Sequence, residues 1–203
     1  MVALKQAAYL SPEDYIEAEK HSNIKHEYHD GEVYAMAGGS DAHAMVGKNI
    51  GFRLTEHLRG SGCRTYIFEM KSRIEAVNRY YYPDVIVTCD PRDERLQYEK
   101  KYPYCLIVEV LSDSTEMKDR GEKFQHYRHL ETLQEYVLVS QHQPLVEVFR
   151  KNESGFWVLH PFDEGDEVEL LSVGLKTNIA TFYEDVNFPA ADATQEAATE
   201  APD

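Results

Sequence analysis

The chain has 203 residues, 42% hydrophobic and 28% charged, which suits one soluble domain with a real core. It contains no apolar run of the ~18 residues a membrane span needs, and its start lacks a signal-peptide pattern. The formal net charge of −15 excludes a protein that binds nucleic acid through bulk positive charge. That charge is uneven: residues 147–203 hold 13 acids against 3 bases, whereas residues 43–79 hold 7 bases against 3 acids. A local basic face, or scattered solvated side chains, can follow from that stretch. Cys63, Cys89 and Cys105 are isolated and odd in number, which reads as reduced thiols in a cytoplasm, with Cys89 and Cys105 in the core.

Residues 1–10 read as a flexible arm, 11–189 as one domain, and the Ala/Thr/acid-rich residues 190–203 as a disordered tail. Ser11-Pro12-Glu13-Asp14 supplies a cap, a first-turn proline and dipole-favoured acids for a short helix to about Lys20. His26–Met36 reads as a hairpin around Asp30-Gly31. Met45, Val46, Ile50, Leu54 and Leu58 recur at helical spacing over about Asp41–Arg59. Strands follow at about Arg64–Glu69 and Arg73–Val77, and Pro91–Tyr104 is a polar surface loop. A helix is expected from Ser112–Thr115 to about Leu130, then a strand over Glu135–Val139, parallel to the strand before the helix. Leu145–Phe149 and Phe156–Leu159 form a final hairpin around Asn152–Gly155.

The chemistry concentrates between Tyr82 and Tyr127. Two apolar, β-branched runs, Val85-Ile86-Val87 and Cys105–Leu111, each carry one acid, Asp84 and Glu109. A carboxylate in such a run is costly to bury without a cation, and two of them suggest a shared hard divalent metal, Mg²⁺ or Mn²⁺. The Val110 carbonyl would complete the shell. Asp84 on its own could equally cap a turn after Pro83.

Length places a third group. Glu109 to Ser114 spans roughly 16 Å as extended chain, and Ser114 to Lys123 returns roughly 13 Å as helix. Lys123 then comes level with Glu109, and Tyr127 lies four residues on, on the same helix face. Two carboxylates, a metal and an ammonium suit phosphodiester hydrolysis. Replacing Lys123 by Met should remove the charge, keep most of the stem's packing and leave folding and metal binding largely intact; Lys118 is the nearest competitor and should be more exposed. Tyr80–Tyr82 could stack on bases or pack at a strand edge, and Glu69 is an alternative acid.

Pro83-Asp84 followed by Glu109-Val110-Leu111 resembles the PD-(D/E)XK nuclease motif, with Leu111 where its lysine would stand. EYHDGEVYAM (27–36), His43, YPDVIV (82–87), IVEVLSDST (107–115), DRGEKFQHY (119–127) and EYVLVS (135–140) together resemble the Uma family of restriction-endonuclease-like proteins. The resemblance covers about Tyr9 to Phe188. It implies an α/β (α+β) restriction-endonuclease-like core: a central mixed β-sheet flanked by helices, with antiparallel hairpins added. It further implies metal at Asp84 and Glu109, a catalytic lysine migrated to Lys123, and Glu27 as an auxiliary acid. His43 and Tyr127 are candidate substrate-binding groups.

The expected function is a Mg²⁺-dependent endonuclease acting on DNA, as a homodimer so that two sites face two strands. A nucleic-acid-binding protein without catalysis and a hydrolase of another phosphate ester are the alternatives. Retention of Asp84, Glu109 and Lys123 together favours catalysis.

Overall fold

The computed structural model describes residues 9–95, 99–100 and 104–188. The expected disordered tail, 190–203, and all but the last two residues of the expected arm lie outside them. Those two are docked: the Leu10 N–H donates to the Gly31 carbonyl at 3.1 Å, and the Tyr9 hydroxyl accepts from the Asn78 side chain.

Helix α1 (Pro12–Glu19) starts as expected, with the Ser11 hydroxyl accepting from the Asp14 N–H. Strands β1 (His26–His29) and β2 (Glu32–Ala35) form the hairpin, and Asp30 and Gly31 both take positive φ, 47° and 99°, as its tight turn demands. Helix α2 (Asp41–His57) is capped by Ser40. Strand β3 (Arg64–Ile67) follows, then β4 (Lys71–Ile74). The strand expected to run on to Val77 stops early: a 3-10 turn over Glu75–Val77 ends at Asn78, whose φ of 50° breaks extended backbone. Next come β5 (Arg79–Tyr81), β6 (Val85–Thr88) and the two-residue β7 (Glu99–Lys100). Strand β7 pairs with β4, so the stretch expected as an unstructured loop contributes to a sheet.

Strand β8 (Tyr104–Leu111) leads into helix α3, which begins over Glu116–Lys118, widens into a π turn at Asp119–Lys123, and finishes over Phe124–Tyr127. Strand β9 (Glu135–Ser140) then pairs in parallel with β8. Strands β10 (Leu145–Lys151) and β11 (Trp157–Asp163) form the expected hairpin, each longer than the sequence suggested. Strands β12 (Glu167–Leu170) and β13 (Leu175–Asn178) make a further two-stranded sheet.

The central sheet has six strands in the order β11-β10-β9-β8-β6-β3 and is mixed, β8–β9 being its parallel pair. A second sheet runs β2-β1-β5-β4-β7. The chain passes from one sheet to the other at Tyr82–Asp84, between β5 and β6. Asp84 therefore lies at a junction and not within a strand.

Strand alternation sorts the core into two layers. Val85, Val87, Leu106, Val108 and Val110 meet Val46, Ile50 and Leu54 of α2. Ile86, Ile107 and Leu111 meet Tyr127 and Leu130 on the other side. Tyr15, Tyr28 and Tyr80 pack a third, smaller cluster under α1. No helix among the described residues is long and apolar enough to cross a membrane.

The cysteine reading needs correction. Cys63 and Cys89 form a disulfide, because antiparallel pairing of Arg64 with Thr88 sets them side by side, their Cα atoms 4.1 Å apart. Cross-strand register creates that neighbourhood, and sequence spacing does not display it. Cys89 is exposed, not in the core, while Cys105 stays a half-buried free thiol. Disulfides are rare in a reducing cytosol, so the cysteines give no argument for a cytoplasmic location.

Candidate active site

Four carboxylates and two lysines meet beside the junction of the two sheets. Glu27, Asp84, Glu109 and Asp119 are all buried, and they line one cavity of about 500 Å³ with Lys118 and Lys123.

Glu109 sits in β8, on the face toward α3, and is 2% exposed. One of its oxygens, Oε1, accepts from Lys123 Nζ at 3.2 Å and from the Tyr127 hydroxyl at 3.0 Å. Burial drives its carboxyl well above the usual carboxylate range, Lys123 opposes that, and Asp119, Asp84 and Glu27 push it further up. Asp84 Oδ2 accepts from the Val110 N–H at 2.6 Å and lies 3.3 Å from His43 Nε2. Burial lowers the His43 pKa, but the bond to Asp84 and its charge, the Val110 backbone and the Asp119 charge together outweigh burial and raise it.

Glu27 comes from the second sheet. In β1 the alternation turns Tyr28 into the tyrosine cluster and leaves Glu27 and His29 on the side facing α3. Glu27 Oε2 accepts from Lys118 Nζ at 2.6 Å and lies 3.6 Å from His29 Nε2. Burial disfavours its charge, yet His29, Lys123 and Lys118 together hold its carboxyl at about 2.

Lys123 is the hub. Its ammonium lies 2.9 Å from Asp119 Oδ1, 3.2 Å from Glu109 Oε1 and 3.5 Å from Glu27 Oε1. The three acids raise its pKa well above that of a free lysine, despite full burial. The π turn runs from Asp119 to Lys123, which lie four residues apart and so are neighbours on the helix surface, and such turns recur at functional sites. The Tyr136 hydroxyl donates to the Asp119 carbonyl within it. Lys123 thus has a structural share beside any chemical one. Lys118 has 32% of its side chain exposed against 7% for Lys123. The ring of Tyr81 lies 5.5 Å from Lys118 Nζ and 5.6 Å from Lys123 Nζ.

The structure therefore brings together Glu27, His43, Asp84, Glu109, Val110, Lys123 and Tyr127. Glu69 does not join them; it is exposed and pairs with Lys25. Tyr80 packs with Tyr15, Tyr81 bonds His126, and only Tyr82 of the three lines the cavity. Sequence reasoning missed Asp119 and left Lys118 as a mere competitor. The Asp119–Lys123 spacing was the available signal, but acids and bases four apart usually mark a solvated helix face.

Among the described residues, no three His, Cys, Asp or Glu side chains form a ready-made metal cage. The donor set nevertheless fits a magnesium-type ion, which keeps several waters and takes one or two carboxylates. Four buried carboxylates face two ammonium groups, more acids than lysines, which is a donor set that suits a divalent cation.

Fold and site together define a restriction-endonuclease-like α+β domain that carries an acid-and-lysine cluster at its sheet junction. The chain belongs to the Uma2 family, described as "Putative restriction endonuclease", whose model matches residues 12–181. Two uncharacterized proteins of Synechocystis sp. (strain ATCC 27184 / PCC 6803 / Kazusa) are similar to it. The first, slr1290, is 41% identical over 179 residues, covering 88% of this chain and 94% of that protein. The second, sll1609, is 30% identical over 161 residues, covering 78% and 90%. A crystal structure from Anabaena variabilis ATCC 29413, described as a "putative nuclease", superposes with a TM-score of 0.67 at 15% identity. It covers 80% of this chain and 92% of its own, and at that identity the likeness is one of fold.

Proposed function

We propose that the protein is a metal-dependent endonuclease that hydrolyses phosphodiester bonds in DNA. The observation that carries this is the unbalanced cluster: four buried carboxylates against Lys118 and Lys123, open to a cavity. A binding module has no need of such a cluster, and burying charge without full compensation is expensive. Family membership and the shared fold support a nuclease reading, though fold alone does not establish function.

Asp84 and Glu109, with the Val110 carbonyl, are the groups to hold Mg²⁺ or Mn²⁺. A divalent ion there would supply Lewis acidity and a bound water of lowered pKa. The Val110 N–H and His43 fix the Asp84 carboxylate, so it needs no reorganisation when substrate arrives. Tyr127 and Lys123 do the same for Glu109. Lys123 also offsets the charge that grows on the attacked phosphate. Lys118, half-exposed at the cavity, is placed to meet an incoming phosphate, and Glu27 restrains its ammonium until then. Cleavage of both strands needs two sites, which a two-fold dimer of this 23.4 kDa chain would supply.

Incubation with supercoiled plasmid and Mg²⁺ or Mn²⁺ tests the proposal. Nicked and linear products from the parent chain, and none from Asp84→Ala, are expected. An intact plasmid with both metals, or equal nicking by Asp84→Ala, would overturn it.

A further inference from the structure

The segment Met36–Gly39 borders a second cavity as well as the first. This one is about 370 Å³ and shares Tyr82, His43 and Asp84 with the acid-lined cavity. Its character is different. Ile24, Met36 and Phe68 supply its walls, and Lys25 joins them. Ile24 is 56% exposed and Met36 is 37% exposed, so apolar side chains face solvent directly beside Asp84.

Phe68 is held there against its own preferences. Its φ is 59°, a left-handed conformation that is strained for a bulky residue. Two bonds fix it: its N–H donates to the Asp84 carbonyl at 2.8 Å, and its carbonyl accepts from Lys25 Nζ at 2.8 Å. The ring lies 6.1 Å from that of His43 and rests on Gly47 in the middle of α2. A Cβ at Gly47 would fall 2.4 Å from Phe68 Cζ, so α2 carries a glycine, a poor helix former, where the ring needs space. Strained backbone and a helix-interior glycine together hold one half-buried ring next to Asp84. Core packing does not account for that, because the ring is only partly withdrawn from water.

We propose that this second cavity holds one unpaired nucleobase of the strand whose phosphodiester lies at Asp84 and Glu109, stacked on Phe68. The inference rests on the nuclease reading and specifies its substrate. A base is flat, with apolar faces, and is joined by its sugar to the phosphate in the neighbouring cavity. Continuity through Asp84 matches that connection. Lys25, at the same cavity, would accompany the next phosphate. A base stacked inside a duplex cannot enter such a pocket, so the bound nucleotide is single-stranded or flipped out. Stacking uses the π face that every base has, so sequence preference at this position should be weak.

The test uses the full chain and a short single-stranded oligodeoxynucleotide, bound in Ca²⁺ and cleaved in Mg²⁺. Phe68→Leu keeps an apolar side chain but removes the π face; it should weaken binding and raise KM by about 5- to 100-fold with kcat little changed. An abasic nucleotide next to the cut should weaken the parent by a similar factor and leave Phe68→Leu no worse. If Phe68→Leu fails to fold, Ile24→Ala on the exposed wall should weaken binding of the parent oligonucleotide but not of the abasic one, and equal binding by Ile24→Ala and the parent would overturn the assignment. Parent-like binding and KM in Phe68→Leu, or an abasic penalty of unchanged size in it, would overturn the cavity's assignment and leave the nuclease intact. Binding that depends on Phe68 without any cleavage would keep the cavity and overturn the nuclease. No binding of the oligonucleotide by a chain that nicks plasmid would overturn the cavity's assignment alone; no binding and no nicking would overturn both.

Discussion

The two faces of strand β8 are equally dry and chemically opposite. Toward α2 it presents Leu106, Val108 and Val110, among valines and leucines of the neighbouring strands. Toward α3 it presents Ile107, Glu109 and Leu111, and Glu109 opens a network of Lys123, Asp119, Glu27 and Tyr127. The first face stabilises through apolar burial, roughly 1.5–3 kcal/mol for each large side chain. The second holds charge that burial alone would expel, and each charge survives only through the others. One face therefore makes the fold, and the other draws on that stability to keep a reactive arrangement in place.

Changes on the two faces should separate stability from activity. The largest effect is expected from Lys123→Met, which takes the cation from the buried Glu109 and Asp119 carboxylates. Removing one partner of a buried ion pair typically costs about 3–5 kcal/mol, so metal-free protein should lose that much in urea unfolding. Cleavage should fall roughly 10²–10³-fold. Val108→Ala on the opposite face should cost about 1–3 kcal/mol from the cavity it leaves, with the cleavage rate per folded molecule unchanged. Equal loss of activity in both variants would erase the distinction between the faces.

Glu109→Gln should do the reverse. The folded state raises the Glu109 pKa, so at neutral pH the ionised side chain weighs against folding. A glutamine keeps an acceptor for Lys123 and Tyr127 without that charge. The metal-free melting temperature should rise by a few degrees, ~1 kcal/mol being worth about 2–4 °C in a chain of this size. Cleavage should disappear, and added Mn²⁺ should raise the Tm of the parent alone. A variant that melts well below the parent would contradict the sign given to Glu109.

The smallest effect concerns acid. Glu27 has its folded pKa depressed to about 2, so its contribution is present above the ordinary glutamate range and is lost as pH falls toward 2. Parent and Glu27→Gln, compared by urea unfolding, should converge between about pH 4.5 and pH 2. A difference that stays constant across that window would show that Glu27 is not held charged by Lys118, Lys123 and His29.

Much of this was legible in the chain itself. Helix α1, the Asp30-Gly31 hairpin, α2, the β8–α3–β9 unit and the β10–β11 hairpin follow from caps, turn residues and periodicity, all of which act over a few neighbours. Asp84 and Glu109 stood out because an acid in an apolar run is costly to bury. Lys123 could be placed because residue rise converts sequence distance into length. The tertiary structure decided what local rules do not reach. The crossing between sheets at Tyr82–Asp84 fixed where Asp84 lies, and the pairing of the second sheet carried Glu27 to Lys123. Packing of α3 against the sheet, with Tyr136 bonded to the Asp119 carbonyl, made a buried partner of an acid that local rules put on a solvated helix face. Antiparallel register joined Cys63 to Cys89, and a glycine in α2 admitted Phe68 beside Asp84. Each depends on which distant segments meet, a matter of packing free energy summed over the whole core, and no window of sequence contains that sum.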